Sequence, residues 1–335
     1  MFINSLSNSI TRCTELKAYS ISSFRHSVAL CTYNGSTYIQ EQLVSIISQS
    51  FPVNEVIICD DCSTDLTIKI IESIIEDSPI PIRLFKNDSP LGVIANFDKA
   101  ISLCSGDIIF LCDQDDVWSK DKVKTIVNWF GKHPEKTVVF TDAELIDDNG
   151  YVIPNSSGLF NAIGFNNKIR RYFNAMAFDI FLKYNRATGA TMAVRKEFFN
   201  NFKIHHGERN KDVPLHDAQI ALAAICRNEL AFISDKLISY RIHSSQKCGL
   251  GSYVNKPRKE SIYNMYYSEG CLTIPEIEDK IDFLKKKADY RNSIFGLDVL
   301  KHTREYHEHY RRDWLLFYLH DFFHGLKRTI ITYHK

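Results

Sequence analysis

The residues of this sequence with the clearest chemical potential are three carboxylates and an amide in a row, Asp113-Gln114-Asp115-Asp116. They directly follow an apolar run, residues 107–112, whose composition is typical of a buried strand. Carboxylates crowded at a strand end repel one another and raise each other's proton affinity, and a divalent cation relieves that repulsion. Mg²⁺ and Mn²⁺ prefer oxygen ligands and leave room for phosphate oxygens. The cluster therefore indicates a metal site, although a solvated loop with a helix cap would also fit these residues alone.

A second acidic pair, Asp60-Asp61, follows another apolar run at residues 55–59. A carboxylate in this position can accept hydrogen bonds from ribose hydroxyls or from the N–H of a pyrimidine base. Taken alone, the pair is more often part of a turn and a helix cap, because Ser63-Thr64-Asp65 comes next. Together, the two acidic clusters favour a site for a metal-bound nucleotide.

The segments that must position these clusters alternate between strand-like and helix-like patterns. Strand-like runs occupy residues 27–32, 55–59, 82–85 and 107–112, and helical spacing follows Tyr38, Asp65 and Val93. Thr37 and Gln40 are spaced as a capping box for the first helix. This alternation predicts an α/β fold with a mostly parallel sheet and helices on both faces. Ligands of such sheets bind beyond the carboxyl ends of the strands, where both acidic clusters lie.

The composition excludes several classes of protein. The 335 residues carry a net charge of +1, so no overall field favours nucleic acid, and 44% hydrophobic residues exclude a disordered chain. No stretch has the ~18 uncharged apolar residues of a membrane span, and the first residues lack the pattern of a signal peptide. Several of the nine cysteines, Cys31, Cys59, Cys104 and Cys112, lie in apolar runs. We interpret them as reduced core residues of a cytoplasmic protein.

The two ends of the chain differ from the middle in composition and in hydrophobic periodicity. Residues 1–25 are rich in Ser, Thr and Asn and are interpreted as a loose extension. Residues 250–335 have helical periodicity and predict a helical C-terminal extension. Within it, one helical face carries Leu315, Tyr318, Leu319, Phe322 and Leu326 between basic pairs. Such a face fits either a helix on an anionic membrane surface or a helix packed on the main domain.

Six segments, in this order, resemble those of the inverting family 2 glycosyltransferases. They are CTYNGSTYIQEQLVSIISQSF, CDDCSTD, FLCDQDDVWSKDKV, ATGATMAVRKEFF, PLHDAQIALAA and ISYRIHSSQKCG. The closest likeness is to the bacterial rhamnosyltransferase-like subgroup, which builds O-antigen and capsular polysaccharide. The resemblance implies a catalytic domain at 26–249 with a GT-A-type fold, a nucleotide-binding, mixed and mostly parallel sheet flanked by helices.

The resemblance also implies roles for individual residues on the donor side. Binding of the nucleotide-sugar is implied for Thr32, Tyr33, Asn34, Asp60, Asp61, Gly92, Asn96 and Asp113. Asp113 and Asp115 match the metal motif, with Asp115 as the expected direct ligand of Mg²⁺ or Mn²⁺. Arg241 and His243 resemble a loop motif that closes over the diphosphate. Cys62 departs from the pattern, because the family usually has Gly there, and Gln246 replaces a frequent Asn.

On the acceptor side, the resemblance implies roles for Gly189, His216 and Asp217, with Asp217 as the catalytic base. Inverting transfer needs one carboxylate to take the proton of the acceptor hydroxyl, and a metal to neutralise the leaving diphosphate. Neither requires a covalent intermediate, so no nucleophilic Ser or Cys is expected. Asp217 would also fit the N-cap of a helix at 218–225, and the two interpretations are compatible.

Two other functions are weighed against glycosyl transfer. A sugar nucleotidyltransferase would need a Gly-rich loop with a basic residue after the first strand, where this chain offers only Asn34-Gly35. An oxidoreductase of the dinucleotide-binding type lacks its G-x-G-x-x-G motif here. A non-catalytic sugar-binding derivative is disfavoured because Asp115 and Asp217 are both present.

The resemblance also implies partners and a place in the cell. It favours dTDP-rhamnose as the donor, with UDP-sugars left open, and a polyprenyl-diphosphate-linked glycan as the acceptor. A cytoplasmic enzyme peripheral to the inner face of the membrane would fit such an acceptor.

Overall fold

The structure is a computed structural model that describes residues 24–174, 177, 181, 185–206, 214–246 and 250. The predicted N-terminal extension, apart from its last two residues, lies outside this range. The predicted C-terminal helices also lie outside it, apart from Leu250. The division of the chain at 26 and 249 therefore stays a prediction.

One mixed sheet organises the described residues. Its strands are β1 (His26–Thr32), β2 (Glu55–Asp60), β3 (Ile82–Lys86), β4 (Ile108–Cys112), β5 (Val117–Trp118), β6 (Val138–Ile146), β7 (Met192–Arg195) and β8 (Leu230–Arg241). The strand order is β3-β2-β1-β4-β7-β6-β8-β5. The β1–β2, β1–β4, β2–β3 and β6–β8 pairs are parallel, and β7 and β5 pair antiparallel with their neighbours. The expected mixed, mostly parallel sheet is confirmed.

Helices cover this sheet at intervals along the chain. They are α1 (Ile39–Ile47), α2 (Thr67–Asp77), α3 (Val93–Leu103), α4 (Lys122–Lys132), α5 (Leu159–Ala162), α6 (Asn167–Arg171) and α7 (His216–Cys226), with 3-10 turns at Gly189–Thr191 and Lys196–Asn200. The first four strands and first three helices lie within a few residues of their predicted places. The predicted capping box of α1 is wrong, because no side chain caps that helix. Instead, the backbone N–H groups of Tyr38 and Ile39 both donate to the carbonyl of Gly35 at 3.0 Å.

The strands at the centre of the sheet are buried on both faces. Along β1, Ala29 packs into a core with α3 and α7, whereas Val28 and Leu30 pack into a second core with α1 and α4. Continuous apolar strands of this kind are typical of parallel sheets covered by helices on both sides. Because the core fixes the strands, the loops that follow them are held at one edge.

The described cysteines are all free thiols, as expected. Burial raises the pKa of Cys59 to about 11 and that of Cys104 to about 12, so both stay protonated. Among the residues that the structure describes, no helix has the length and apolar character needed to cross a membrane.

A buried carboxylate, Glu55, joins the strands at the edge opposite to the acidic clusters. Glu55 accepts hydrogen bonds from the hydroxyl of Ser27 at 2.6 Å, the backbone N–H of Ser105 at 2.6 Å and the guanidinium of Arg83 at 2.8 Å. Burial alone would raise the pKa of Glu55, but these hydrogen bonds outweigh it and lower the pKa to about 2. The charged carboxylate therefore stabilises the junction of β1, β2 and β3.

We predict that Glu55→Gln lowers the free energy of unfolding at pH 7 by about 1–3 kcal/mol, because it removes charge-assisted hydrogen bonds. The folded pKa of about 2 lies below the ordinary 4.5, so this stabilisation is complete above pH 4.5 and is lost as the pH falls towards 2. Urea unfolding of both proteins across this range measures the difference.

Glu72→Gln is the matched control, since Glu72 forms only an exposed ion pair with Lys86. Its effect should stay below about 1 kcal/mol. A Glu55→Gln effect that is independent of pH would contradict the account of Glu55.

Candidate active site

The loops after β1 and β2 meet at the carboxyl edge of the sheet and are joined by Asp60. Its carboxylate is 2% exposed and accepts from the hydroxyls of Thr32 at 2.8 Å and Ser63 at 2.5 Å. The backbone N–H of Ser63 also donates to it at 2.8 Å. Asp60 and Thr32 therefore hold the two loops together from inside the protein.

The neighbouring carboxylate, Asp61, holds the loop before α3. It accepts from the backbone N–H groups of Leu91 at 2.6 Å and Gly92 at 2.9 Å, and from the amide of Asn87 at 2.9 Å. A carboxylate offers about four acceptor positions, so these three bonds leave it near saturation. Asp61 thus builds one wall of the edge, and its role in binding the base stays a prediction.

Asn96 supports this wall from behind. The side chain is 2% exposed, and it donates to the carbonyl of Cys59 at 2.9 Å and accepts from Asn87 at 2.9 Å. Both ends of its amide are thus used inside the protein, and its expected place in the nucleotide-sugar pocket stays a prediction. Gly92 immediately precedes α3 and its N–H donates to Asp61, and its role in the pocket likewise stays a prediction.

The loop after β1 is held by Gln114, which sequence reasoning did not single out. The Gln114 amide accepts from the backbone N–H of Tyr33 at 2.8 Å and donates to the Tyr33 carbonyl at 3.1 Å. A Cβ on Gly35 would lie 2.2 Å from Gln114 Oε1, so a larger residue there would displace the Gln114 side chain from its contacts with Tyr33. Asn34 adopts a left-handed φ of 48° and accepts from the N–H of Thr64 at 2.8 Å. The first loop and the acidic loop are therefore locked together.

Carboxylates from distant parts of the chain converge beyond β4. Burial, followed by the charges of Asp115 and Asp217, raises the pKa of Asp113 to about 7. Burial, followed by the charges of Asp115 and Asp113, raises the pKa of Asp116 well above its ordinary value. Burial and mutual repulsion thus both disfavour the ionised carboxylates, and a divalent cation bound among them would relieve the repulsion.

His243 contributes a nitrogen to this cluster. Its Nε2 lies 2.9 Å from Asp115 Oδ2, and its Nδ1 lies 2.7 Å from the hydroxyl of Ser245. Within the described ranges, no three His, Cys, Asp or Glu side chains already form a metal-binding group. Carboxylates of Asp113 and Asp115 with the His243 imidazole nevertheless suit Mg²⁺ or Mn²⁺, which take one or two carboxylates and complete their shell with phosphate oxygens and water.

Arg241 is buried and hydrogen-bonded to other parts of the protein. The residue is 1% exposed, and its side chain donates to the Asp115 carbonyl at 2.8 Å and to Glu41 at 2.5 Å. It also donates to the carbonyls of Asp147 and Asp148 at 3.3 and 3.2 Å. Four hydrogen bonds inside the protein occupy most of the five donors of a guanidinium. Arg241 therefore anchors the acidic loop, and its expected contact with the diphosphate stays a prediction.

Asp217 lies in the first turn of α7, as its second residue. Leu215 precedes the helix, so the alternative interpretation of Asp217 as the N-cap is wrong. The carboxylate accepts from the N–H groups of Gly189 at 3.0 Å and Ala218 at 2.7 Å. Burial raises the pKa of Asp217 to about 6, although these bonds and one from Asn185 oppose the shift. Such a carboxylate is ionised at pH 7 yet basic enough to accept a proton.

The neighbouring His216 is 4% exposed, and its ring stacks on Phe97 with centroids 3.9 Å apart. Neither ring nitrogen has a hydrogen-bond partner among the described residues. Burial lowers the pKa of His216 to about 3, so the ring is neutral. A Cβ on Gly189 would lie only 3.2 Å from His216 Nε2, which places all three predicted acceptor-side residues together.

A comparison with known proteins fits this arrangement. The model of the family described as glycosyl transferase family 2 matches residues 27–205. The chain belongs to this family. It is therefore a glycosyltransferase, as the sequence indicates, and the match favours glycosyl transfer over the nucleotidyltransferase alternative.

Individual relatives of this family 2 chain cover much of its length. The dTDP-rhamnosyl transferase RfbG of Shigella flexneri is 31% identical over 228 residues, which span 66% of this chain and 73% of that protein. An uncharacterized glycosyltransferase of Haemophilus influenzae is 28% identical over 66% of each chain. The crystal structure of S. aureus TarS 1-349 with UDP is 20% identical and matches 66% of this chain and 61% of its own, with a TM-score of 0.47.

We predict that Cys62→Gly stabilises the protein by about 1 kcal/mol. Cys62 adopts a left-handed φ of 67°, which strains residues that carry a Cβ and suits the Gly usual in family 2. Urea unfolding measures the change. Cys62→Ala is the control, because it loses the thiol and keeps the strain, and a Gly variant no more stable than the Ala variant would refute the account of this turn.

Proposed function

We propose that the chain transfers a sugar, with inversion, from a nucleoside diphosphate donor to an acceptor hydroxyl at the carboxyl edge of the sheet. The observation that carries the proposal is that Asp113, which follows β4, is close enough to both Asp115 and Asp217 for their charges to raise its pKa. Inverting transfer needs both functions at one place, a site for the diphosphate and a carboxylate base.

The donor side of the proposal rests on the loops that Asp60, Asp61 and Gln114 hold. Tyr33 lies on the first of these loops and is 41% exposed at the same edge. Asn34 follows it, and Gly92 faces the same edge through its contact with Asp61. The similarity to a protein named dTDP-rhamnosyl transferase favours dTDP-rhamnose as the donor, with UDP-sugars as the alternative.

The metal site of the proposal consists of Asp115 and Asp113, with His243 beside them. Mg²⁺ or Mn²⁺ held there would neutralise the charge that develops on the leaving diphosphate. His243 already contacts Asp115, and Arg241 holds the backbone of the same residue, so the ligand is preorganised. The raised pKa of Asp113 supports this site, because a bound cation would favour the ionised carboxylate.

The acceptor side of the proposal gives Asp217 the role of base. The acceptor oxygen forms a bond to the anomeric carbon while the bond from that carbon to the donor phosphate oxygen breaks. The hydroxyl proton passes to Asp217, and the nucleoside diphosphate leaves. Gly189 and Ala218 hold the Asp217 carboxylate in place during this transfer through their backbone N–H groups.

The proposed acceptor is a glycan on a polyprenyl diphosphate, in the synthesis of cell-surface polysaccharide. The resemblance of the sequence motifs to the rhamnosyltransferase-like subgroup supports this choice. Such an acceptor implies a cytoplasmic enzyme that is peripheral at the inner face of the membrane. The basic and aromatic segment within 250–335 would supply that contact, and it lies outside the described residues.

We predict that Asp217→Asn lowers kcat by about 10²- to 10⁴-fold, because the amide cannot accept the proton. Binding of dTDP or UDP should stay within about twofold, since the base does not hold the nucleotide. In the unmodified enzyme, activity should fall as the pH falls through about 6, where Asp217 becomes protonated. Release of nucleoside diphosphate in the presence of acceptor measures the rate.

The matched control is Asp98→Asn, which removes an exposed carboxylate paired with His206. It should keep the activity of the unmodified enzyme. Wild-type turnover in Asp217→Asn would show that Asp217 is not the base.

A further inference from the structure

A lysine lies fully buried beside the acidic cluster, and the functions assigned so far do not use it. Lys122 is the first residue of α4 and is 0% exposed. The other buried residues of this helix, Val123, Ile126, Val127 and Phe130, are apolar. Removing an ammonium from water is costly unless the protein compensates for it, so a lysine at this position calls for an explanation.

The contacts of Lys122 lead directly to the proposed base. Its Nζ donates to the carbonyl of Ala190 at 3.0 Å and lies 4.0 Å from the centroid of the Trp118 ring. Ala190 follows Gly189, whose N–H donates to Asp217 at 3.0 Å. One ammonium group therefore ties α4 to the turn that orients the Asp217 carboxylate.

The charge of Lys122 also acts on the acidic loop. Burial lowers its pKa to about 8, while Cys112, Asp116 and Asp113 act in the opposite direction and favour the charged form. The same charge lowers the pKa of Asp113 and of Asp116, against the larger effects of their burial and acidic neighbours. Lys122 thus supplies a positive charge that offsets part of the negative charge of the acidic loop.

We propose that Lys122 is a positioning residue of the transfer reaction, which sets the turn that holds Asp217 relative to the acidic loop and offsets part of that loop's charge. The inference rests on the proposed function. Two consequences follow from it. Loss of the Lys122 donor should misplace the base, and loss of its charge should increase the attraction of the acidic loop for a cation.

The test compares Lys122→Met, which removes donor and charge, with Lys122→Gln, which keeps an N–H donor without the charge. Lys124→Met is the matched control, because Lys124 is exposed on the same helix. Two quantities are measured on the full chain: Mn²⁺ affinity by titration without substrate, and kcat and KM for the donor.

We expect Lys122→Met to lower kcat at least about tenfold with KM within about threefold. Lys122→Gln should retain more of kcat than Met does, because the donor to Ala190 remains. Both variants should bind Mn²⁺ about fivefold more tightly than the unmodified chain, because the positive charge that acts on Asp113 and Asp116 is gone. Lys124→Met should change neither quantity.

The possible results separate this inference from the function on which it rests. If the unmodified chain binds no Mn²⁺ and transfers no sugar, the proposed function fails and the role of Lys122 fails with it. If the unmodified chain does both, a Lys122 variant with unchanged Mn²⁺ affinity overturns the role of Lys122 alone, even where kcat falls. Should Lys122→Met fail to fold, Lys122→Gln decides through its Mn²⁺ affinity.

Discussion

The structure depends on one electrostatic constraint: carboxylates are gathered at a buried sheet edge without enough positive charge to balance them. Asp113, Asp115 and Asp116 follow β4, and Asp217 approaches them from α7. Such a group is costly to assemble in a protein interior, since each carboxylate loses water and repels its neighbours. The shifts of the pKa of Asp113 to about 7 and of Asp217 to about 6 record that cost. Desolvated, mutually repelling carboxylates bind a cation or a proton more readily, which is what the proposed metal site and base require.

The surrounding residues hold this group together rather than neutralise it. Arg241 donates hydrogen bonds to Glu41 and to three backbone carbonyls. It therefore fixes the acidic loop against α1 and the turn after β6. Gln114 locks the same loop to Tyr33. Lys122 ties the turn at Ala190 to α4. Three long polar side chains, each largely committed to contacts within the protein, thus preorganise the edge.

The sequence predicted the α/β architecture well, because period and turn signals are local. The apolar runs before Asp60 and Asp113 and the helix at 93–103 are visible without tertiary information. Asp113, Asp115 and Asp217 could be proposed as site residues because they lie in motifs that follow the order found in family 2. The roles of Arg241 and Asn96 could not be predicted, since residue type does not reveal whether a donor faces a ligand or a carbonyl across the fold. Lys122 gave no signal, because a lysine at a helix start is ordinarily exposed.

The central claim is that this edge binds a nucleoside diphosphate together with a divalent cation. The most direct measurement is the shift in melting temperature with dTDP, UDP, GDP and CDP, each with and without Mn²⁺, because a ligand of the folded state raises that temperature by mass action. The account predicts a shift with one nucleotide, largest for dTDP or UDP, that depends on Mn²⁺ and is reduced in Asp115→Asn. No shift with any nucleotide, or equal shifts with and without Mn²⁺, would contradict it.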